Sequence, residues 1–592
     1  MTELAQPAIP NIIRNIRDLC TRSLDELLSK GWISYLLIAA LQLKVIWGIW
    51  RLRDITGGDT SYYFQSVYRW SQDFTTDPVW SPLYTSFYGT IQFLTGDVYA
   101  SAILHRAIIV MLVALGVLAV LRKLLTPALA LVIGAWWIVL PINFEALYEV
   151  HLFAFLPVLA ALIVAGSDDT PWTRGSALAI LVVATFLARM ELVVAVLAYS
   201  LICFWREVRA LRRARTTSGP TVRFPMAAYA VPAAIALAVC AFFIWRSSVP
   251  YGEILDRMHY RLALNMCQGY AFTWLQIHTD SGLNPWLDCR QLMQSVFGRP
   301  WLTLGEMIAA NPGAVREYFW WNFSLLPNGL QVALYDAMSG TINPDYGPVR
   351  HVGSQVALVL GLANLIVLGW GCTRIVRRWD FWGPTWFSPR KGLWLLIFAL
   401  LCVSFPVIFA IRPRPSYLYP TTLALMAMTG TALLVLIPAR WQDHFSRLAV
   451  IGFLFLLASV PGYYISHPSD RPLYTEYKRL RPFTAELDNA GNRIILGDRS
   501  DEVWSYLGLT KPADGLFGYK ILSSWKAPES LDQFLDRMRI NVFLIQPGMM
   551  RDLRNRPEAR QLLTDPQSLG WRSLTPPGDP SEEWLLLYRE RR

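Results

Sequence analysis

From Gly31 to Tyr464, nearly uncharged apolar runs of about 18 to 22 residues recur between short polar connections. At a rise of about 1.5 Å per residue, such a run crosses a hydrocarbon core about 30 Å thick. In lipid each backbone must satisfy its own hydrogen bonds, so the runs are read as helices. The pattern predicts about eleven spans, near 31–50, 101–121, 127–142, 151–166, 176–188, 192–205, 226–246, 352–372, 393–411, 416–437 and 447–464. The fifth and sixth are short, so their junction at Arg189-Met190-Glu191 is expected to dip into the membrane.

Outside this region the pattern changes. Before it, Ile12, Ile16, Leu19, Leu24, Leu27 and Leu28 follow a helical stripe beside Arg14, Arg17 and Arg22. This predicts an amphipathic helix over 1–30 on the cytoplasmic leaflet and no cleavable signal peptide. After it, 493–498, 541–545 and 584–588 read as buried strands, and Leu531 to Met538 has helical spacing. Residues 465–592 are therefore expected to form a small α/β domain, a lid or an acceptor-binding module. The predicted fold class is a polytopic α-helical membrane protein, with a membrane domain over 31–464 carrying outer loops 51–100 and 247–351.

Composition agrees: 54% of the 592 residues are hydrophobic and 16% charged, against about 25% charged in soluble domains. The net charge of +11 raises nucleic acid as a partner, but its placement excludes that. The basic residues cluster in short connections, Arg206 to Arg215 and Arg374 to Lys391 among them. A nucleic-acid face would interleave them with polar and aromatic residues. By the positive-inside rule these connections are cytoplasmic. That puts 51–100, 143–150, 247–351 and 465–592 outside, periplasmic or extracellular, in a multi-pass protein of a bacterial inner (plasma) membrane. In the 247–351 loop, Trp301, Leu304, Met307 and Ile308 before an Asn311-Pro312 helix start suit the headgroup boundary. Cys267 and Cys289 are the two cysteines on the oxidising side, which makes them the disulfide candidates.

Three sets of ionisable residues lie at the outer surface. Asp59, in Thr56-Gly57-Gly58-Asp59-Thr60-Ser61-Tyr62-Tyr63, can act as a general base or simply cap the following helix. Tyr62 and Tyr63 offer an aromatic surface beside it. Glu145, Glu149 and His151 can position an acceptor, hold a divalent cation (Mg, Mn or Ca), or stand as a solvated loop. Arg412, Arg414 and Tyr417, joining the ninth and tenth spans, put positive charge where orientation disfavours it, so they require a partner. A lipid-linked phosphate suits a guanidinium fork. Arg189 and Glu191 sit near the same level, as a site or a structural pair. Lys44 and His105 are expected to snorkel outward. The sequence holds no Walker loop, HExxH, CxxC or DxD motif.

Taken in order and sidedness, these features resemble the GT-C superfamily of integral membrane glycosyltransferases, which includes protein mannosyltransferases, aminoarabinose transferases and oligosaccharyltransferases. The resemblance rests on Gly58-Asp59-Thr60-Ser61-Tyr62-Tyr63 beyond the first span and on Trp80-Ser81-Pro82-Leu83-Tyr84, which resembles a juxtamembrane helix. It rests also on Glu145 or Glu149 after the third span, and on Arg412 to Pro420 at a late one. It departs in having Thr60 where the family often pairs a second acid, and in placing Pro415 and Ser416 between Arg414 and Tyr417. The resemblance implies an inverting transfer from a polyprenyl-phosphate sugar to a glycan, lipid or protein acceptor. Asp59 would then be the base, and Arg412, Arg414, Tyr417 and Arg189 would hold the donor phosphate. The alternatives are a transporter or flippase of lipid-linked anions, a lipid-linked polysaccharide polymerase or ligase, and a non-catalytic envelope scaffold.

Overall fold

The computed structural model describes residues 30–51, 59–144, 149–216, 224–345, 354–466, 494–497, 515–545, 547–573 and 585–590. The amphipathic helix expected over 1–30 lies outside these residues, apart from Lys30. The chain divides into two compact units, Met1–Trp47 with Ala107–Ser466 and Gly48–Arg106 with His467–Arg592.

Eleven helices follow the eleven predicted runs in order: Gly31–Val45, Val98–Leu124, Pro127–Val139, Glu149–Ala165, Pro171–Leu187, Val193–Thr216, Met226–Trp245, Ser354–Arg377, Lys391–Ala410, Tyr419–Leu436 and Ala439–Ser459. Among the described residues, six helices are long and apolar enough to cross a membrane. The others fall short of about 20 residues or carry a basic end. The chain extends two of them with tighter turns, Ile49–Arg51 after the first and Pro141–Asn143 after the third. The chain is a polytopic helical membrane protein.

The basic residues have a second use beyond orientation. Arg122 donates to the Gly31 carbonyl (3.1 Å), Lys123 to Gly166 (3.1 Å), Arg390 to Lys123 (2.7 Å) and Arg374 to Val435 and Leu436 (3.2 Å each). Several of these carbonyls lie at helix C-termini, which lack intrahelical donors and carry partial negative charge. The contacts also bring the predicted cytoplasmic connections together at one end of the bundle. There Asp169 pairs with Arg174 and Arg206, and Arg174 with Glu207. Lys44, expected to snorkel, donates through Nζ to Leu457 (2.5 Å) and Ala458 (2.8 Å), the closing carbonyls of Ala439–Ser459.

At the opposite end, the segment between Tyr251 and Tyr335 folds into helices around a small core of Cys267, Tyr270, Met293, Met307 and Tyr318. Cys267 and Cys289 are disulfide-bonded there. Asn311 caps Pro312–Ser324 through the Ala314 amide.

In the second unit, helices Asp59–Asp73 and Pro82–Thr95 pack closely. A Cβ on Gly89 would lie 2.7 Å from the Val67 carbonyl oxygen and from the Trp70 ring, so glycine permits the approach. His105, expected to snorkel, does not. It is buried, stacked on Tyr88 with centroids 3.6 Å apart, and 3.3 Å from the Tyr84 hydroxyl. The C-terminal part holds strands β1 Ile494–Gly497, β2 Gly515–Gly518, β3 Val542–Ile545, β4 Arg572–Ser573 and β5 Leu585–Tyr588 in the order β2-β1-β3-β5-β4. β2, β1 and β3 are parallel, and β5 runs antiparallel to β3. β1, β3 and β5 are the strands read from sequence. β2 and β4 escaped because Leu516-Phe517 and two exposed residues make no period.

Candidate functional site

Where the chain leaves helix Lys391–Ala410, its last carbonyls need donors. Tyr318 supplies one to Ala410 (2.6 Å) and Asn322 one to Phe409 (2.8 Å). Thr273 donates to Asn322 Oδ1 (3.0 Å), which fixes the amide so that Nδ2 faces the helix. The next residue but one, Arg412, has φ 99°. That conformation is rare for a side-chain-bearing residue and persists only when the surroundings impose it.

The surroundings of Arg412 come from the outer segment. Its side chain is 0% exposed. Nη2 donates to Gln276 Oε1 (2.7 Å) and to the Asn343 carbonyl (3.0 Å). Gln276 is oriented in turn: Oε1 also accepts from Trp321 Nε1 (3.0 Å), and its Nε2 donates to Asn343 (3.1 Å). An indole is only a donor, so the amide has one workable orientation. Helix Leu326–Tyr335 closes over the corner at Gly329, where a Cβ would sit 2.2 Å from the Pro413 carbonyl oxygen.

Two residues on, Arg414 donates through Nε to Asp345 (2.7 Å), with side chains 7% and 18% exposed. The Arg414 amide bonds the Arg412 carbonyl (2.9 Å), and the Tyr417 amide that of Arg414 (3.0 Å). This coil sets Tyr417 between two guanidinium groups, with Arg189 4.8 Å and Arg414 5.5 Å from the ring centroid. Arg189 projects from the break between helices Pro171–Leu187 and Val193–Thr216, where Met190–Leu192 forms a 3-10 turn, and pairs with Glu191 (2.7 Å). The buried His151 ring lies 4.8 Å from that of Tyr417. Tyr419 donates to the Ile142 carbonyl (3.0 Å) and Tyr464 to Phe144 (3.2 Å), which ties this end of the bundle together.

Of these groups, His151, Arg189, Glu191, Tyr417 and Tyr419 line a small cleft. Its apolar wall is Ala154, Phe155, Val158, Leu192 and Val403, and its polar edge is His151, Arg189, Glu191, Ser416 and Tyr417. The Ser416 hydroxyl is buried and has no partner among the described residues. A polar edge carrying a guanidinium over an apolar wall matches a ligand with an anionic head and a hydrocarbon tail.

The structure thus brings together Arg189, Glu191, His151, Arg414 and Tyr417. Arg412 adjoins them but turns its guanidinium toward Gln276. Tyr63 is buried edge-on to Trp80 and Tyr84, with centroids 5.2 and 5.6 Å away, so it packs instead of offering a surface. Asp59 and Glu149 begin helices Asp59–Asp73 and Glu149–Ala165, but their side chains, like that of Tyr62, lie outside the described residues, as does Glu145. No group of three His, Cys, Asp or Glu side chains forms a metal set among the described residues. Gln276, Gly329, Asp345 and Ser416 were missed by sequence reasoning. For Asp345 the available signal was the need of outer arginines for a counter-charge.

Among solved structures, the chain is similar to the archaeal oligosaccharyltransferase AglB from Archaeoglobus fulgidus in complex with an inhibitory peptide and a dolichol-phosphate. Identity is 12%, 88% of this chain and 70% of that one are covered, and the TM-score is 0.41. It is also similar to ArnT from Cupriavidus metallidurans bound to undecaprenyl phosphate, at 11% identity, 94% and 98% coverage and a TM-score of 0.40. No family model and no curated protein matches the chain. At 12% identity and below, the chemistry has to come from this chain's own residues.

Proposed function

We propose that this protein is a membrane glycosyltransferase that moves a sugar from a polyprenyl-phosphate donor to an envelope glycan, lipid or protein acceptor on the outer face. The observation that carries the reading is Tyr417 held between Arg189 and Arg414 at the edge of an apolar cleft. In such a site the donor phosphate meets the guanidinium groups while the prenyl chain lies along Phe155, Val158 and Val403. The acceptor oxygen attacks the anomeric carbon, and its proton passes to the Asp59 carboxylate. The bond from that carbon to the phosphate oxygen breaks with its electron pair, giving the polyprenyl phosphate, and the configuration inverts. Negative charge grows on the leaving phosphate, so nearby guanidinium groups favour the transition state over the ground state. Arg412, sealed against Gln276, shapes the corner, and Arg189 and Arg414 meet the phosphate. Glu145 and Glu149 orient the acceptor.

The test is transfer by purified protein in nanodiscs, offered a panel of radiolabelled polyprenyl-phosphate sugars with crude envelope acceptors. Wild-type transfer that disappears in Asp59→Asn supports both the reaction class and the base. Transfer that survives removes Asp59 from the role. Transport of a lipid-linked anion without transfer overturns the reading.

A further inference from the structure

The cleft does not present bare cations. Each guanidinium beside Tyr417 already holds a carboxylate at 2.7 Å, Arg189 with Glu191 and Arg414 with Asp345. These two arginines and two acids sum to no net charge. A phosphate added to the intact pairs would place like charges a few ångströms apart in a poorly solvated site, where repulsion is strong. An incoming phosphate that takes Arg414 as its partner therefore competes with the Asp345 carboxylate for that guanidinium.

The two pairs differ in how they are built. Arg189 and Glu191 are two residues apart in one short connection and travel together. Arg414 and Asp345 are 69 residues apart in sequence and come from different segments. The backbone leading to Asp345 is pinned: Ile342 accepts from Asn328 (2.9 Å), Asn343 from Gln276 and Arg412, and the Asp345 amide donates to Asn343 Oδ1 (2.9 Å). A short side chain on a fixed backbone can swing from the guanidinium by rotation about its own bonds. Asp345 is also the more exposed of the two partners, at 18% against 7%, so it covers Arg414 from the solvent side.

We propose that Asp345 is an exchangeable counter-ion. Its carboxylate neutralises Arg414 in the empty protein and is displaced from it by the phosphate of a lipid-linked ligand. This rests on the cleft being a polyprenyl-phosphate site, and adds that the chain sets the affinity by supplying its own competitor. A charged group that must leave weakens ligand binding by the interaction it gives up.

The experiment titrates full-length protein in phosphatidylcholine nanodiscs with a short-chain polyprenyl phosphate, and separately with inorganic phosphate, and measures Kd. Asp345→Asn keeps the shape and removes the charge. It is expected to bind the lipid phosphate about ten-fold more tightly, the worth of one charge-assisted hydrogen bond. Inorganic phosphate, which gains nothing from the apolar wall, is expected to bind far more weakly to both proteins. Arg414→Gln is expected to weaken lipid-phosphate binding and to abolish the effect of Asp345→Asn in the double variant. A melting curve on each variant reads folding, and Asp345→Ser serves if the Asn variant unfolds. Unchanged or weaker lipid-phosphate binding by a folded Asp345 variant overturns the proposal alone and makes Asp345 a permanent partner. Folded wild type and variant that both fail to bind lipid phosphate overturn the cleft reading and this proposal with it.

Discussion

Replacing Gly329 with alanine tests whether the arginine corner is rigid. The new Cβ would lie 2.2 Å from the Pro413 carbonyl oxygen and 2.9 Å from the Pro413 Cβ. Carbon–oxygen contacts even in weak C–H···O bonds are about 3.3 Å or longer, so one backbone must retreat by about 1 Å. Neither yields easily. The oxygen belongs to Pro413, next to Arg412 at φ 99°, and Arg412 is tied to Gln276 and Asn343. Overpacking of this kind costs about 1–3 kcal/mol, and misplacing a reacting or binding group by about 1 Å can lower turnover about 100-fold. Gly369 is the control, since nothing lies within 4 Å of its Cβ position and alanine is the better helix former by about 0.5–1 kcal/mol. Thermal melts in detergent should place Gly329→Ala below wild type and Gly369→Ala at or above it, and only the former should lose transfer. A Gly329→Ala protein that melts with wild type and transfers at full rate would show that the corner is not held by this contact.

Other outcomes follow from single contacts. Gln276→Leu leaves Arg412 Nη2 and Trp321 Nε1 without the oxygen they share. At about 1–3 kcal/mol per stranded buried donor, it should lower the melting temperature more than Gln276→Glu, which keeps that acceptor. Cys267→Ser opens a loop whose ends are 22 residues apart. On the chain-entropy estimate this removes about 3 kcal/mol, visible as an earlier melt and as loss of the reductant-dependent gel shift. At the opposite end of the bundle, burial alone would raise the Asp169 carboxyl. Hydrogen bonds and charge from Arg206 and Arg174 outweigh it and hold the carboxyl below its usual range. Its contribution is therefore present above the ordinary carboxylate pKa and lost as the pH falls through the lowered one. Melts from pH 7 to pH 3 should show Asp169→Asn less stable at neutral pH and with a smaller loss on acidification.

The helices were legible because lipid imposes one rule along the whole chain. A span must be apolar and must bond its own backbone, so Val98–Leu124 and Lys391–Ala410 announce themselves by length and composition alone. The contacts from Arg122 to Gly31 and from Arg390 to Lys123 gather the basic connections at one end of the bundle. The clustering of residues 48–106 with 467–592 depends on contacts between distant segments, and no local period encodes those. His105 was misread for a related reason. Snorkelling is what an isolated helix does, whereas here Tyr84 and Tyr88 of a neighbouring helix enclose the ring.

The arginine corner combines both situations. Charge at Arg412 and Arg414 breaks the orientation rule, so the sequence alone required partners for them. A lipid phosphate was the partner that chemistry suggested. The structure adds partners from the chain itself: Gln276 and Asn343 for Arg412, and Asp345 for Arg414. These sources are not equivalent. Gln276 and a backbone carbonyl hold Arg412 through neutral acceptors. Asp345 cancels the charge of Arg414 and can be exchanged for another anion of the same geometry. A corner with one arginine locked by neutral acceptors and one by a replaceable acid keeps its shape when the acid leaves. That combination suits a site that must stay folded whether or not its anion is bound.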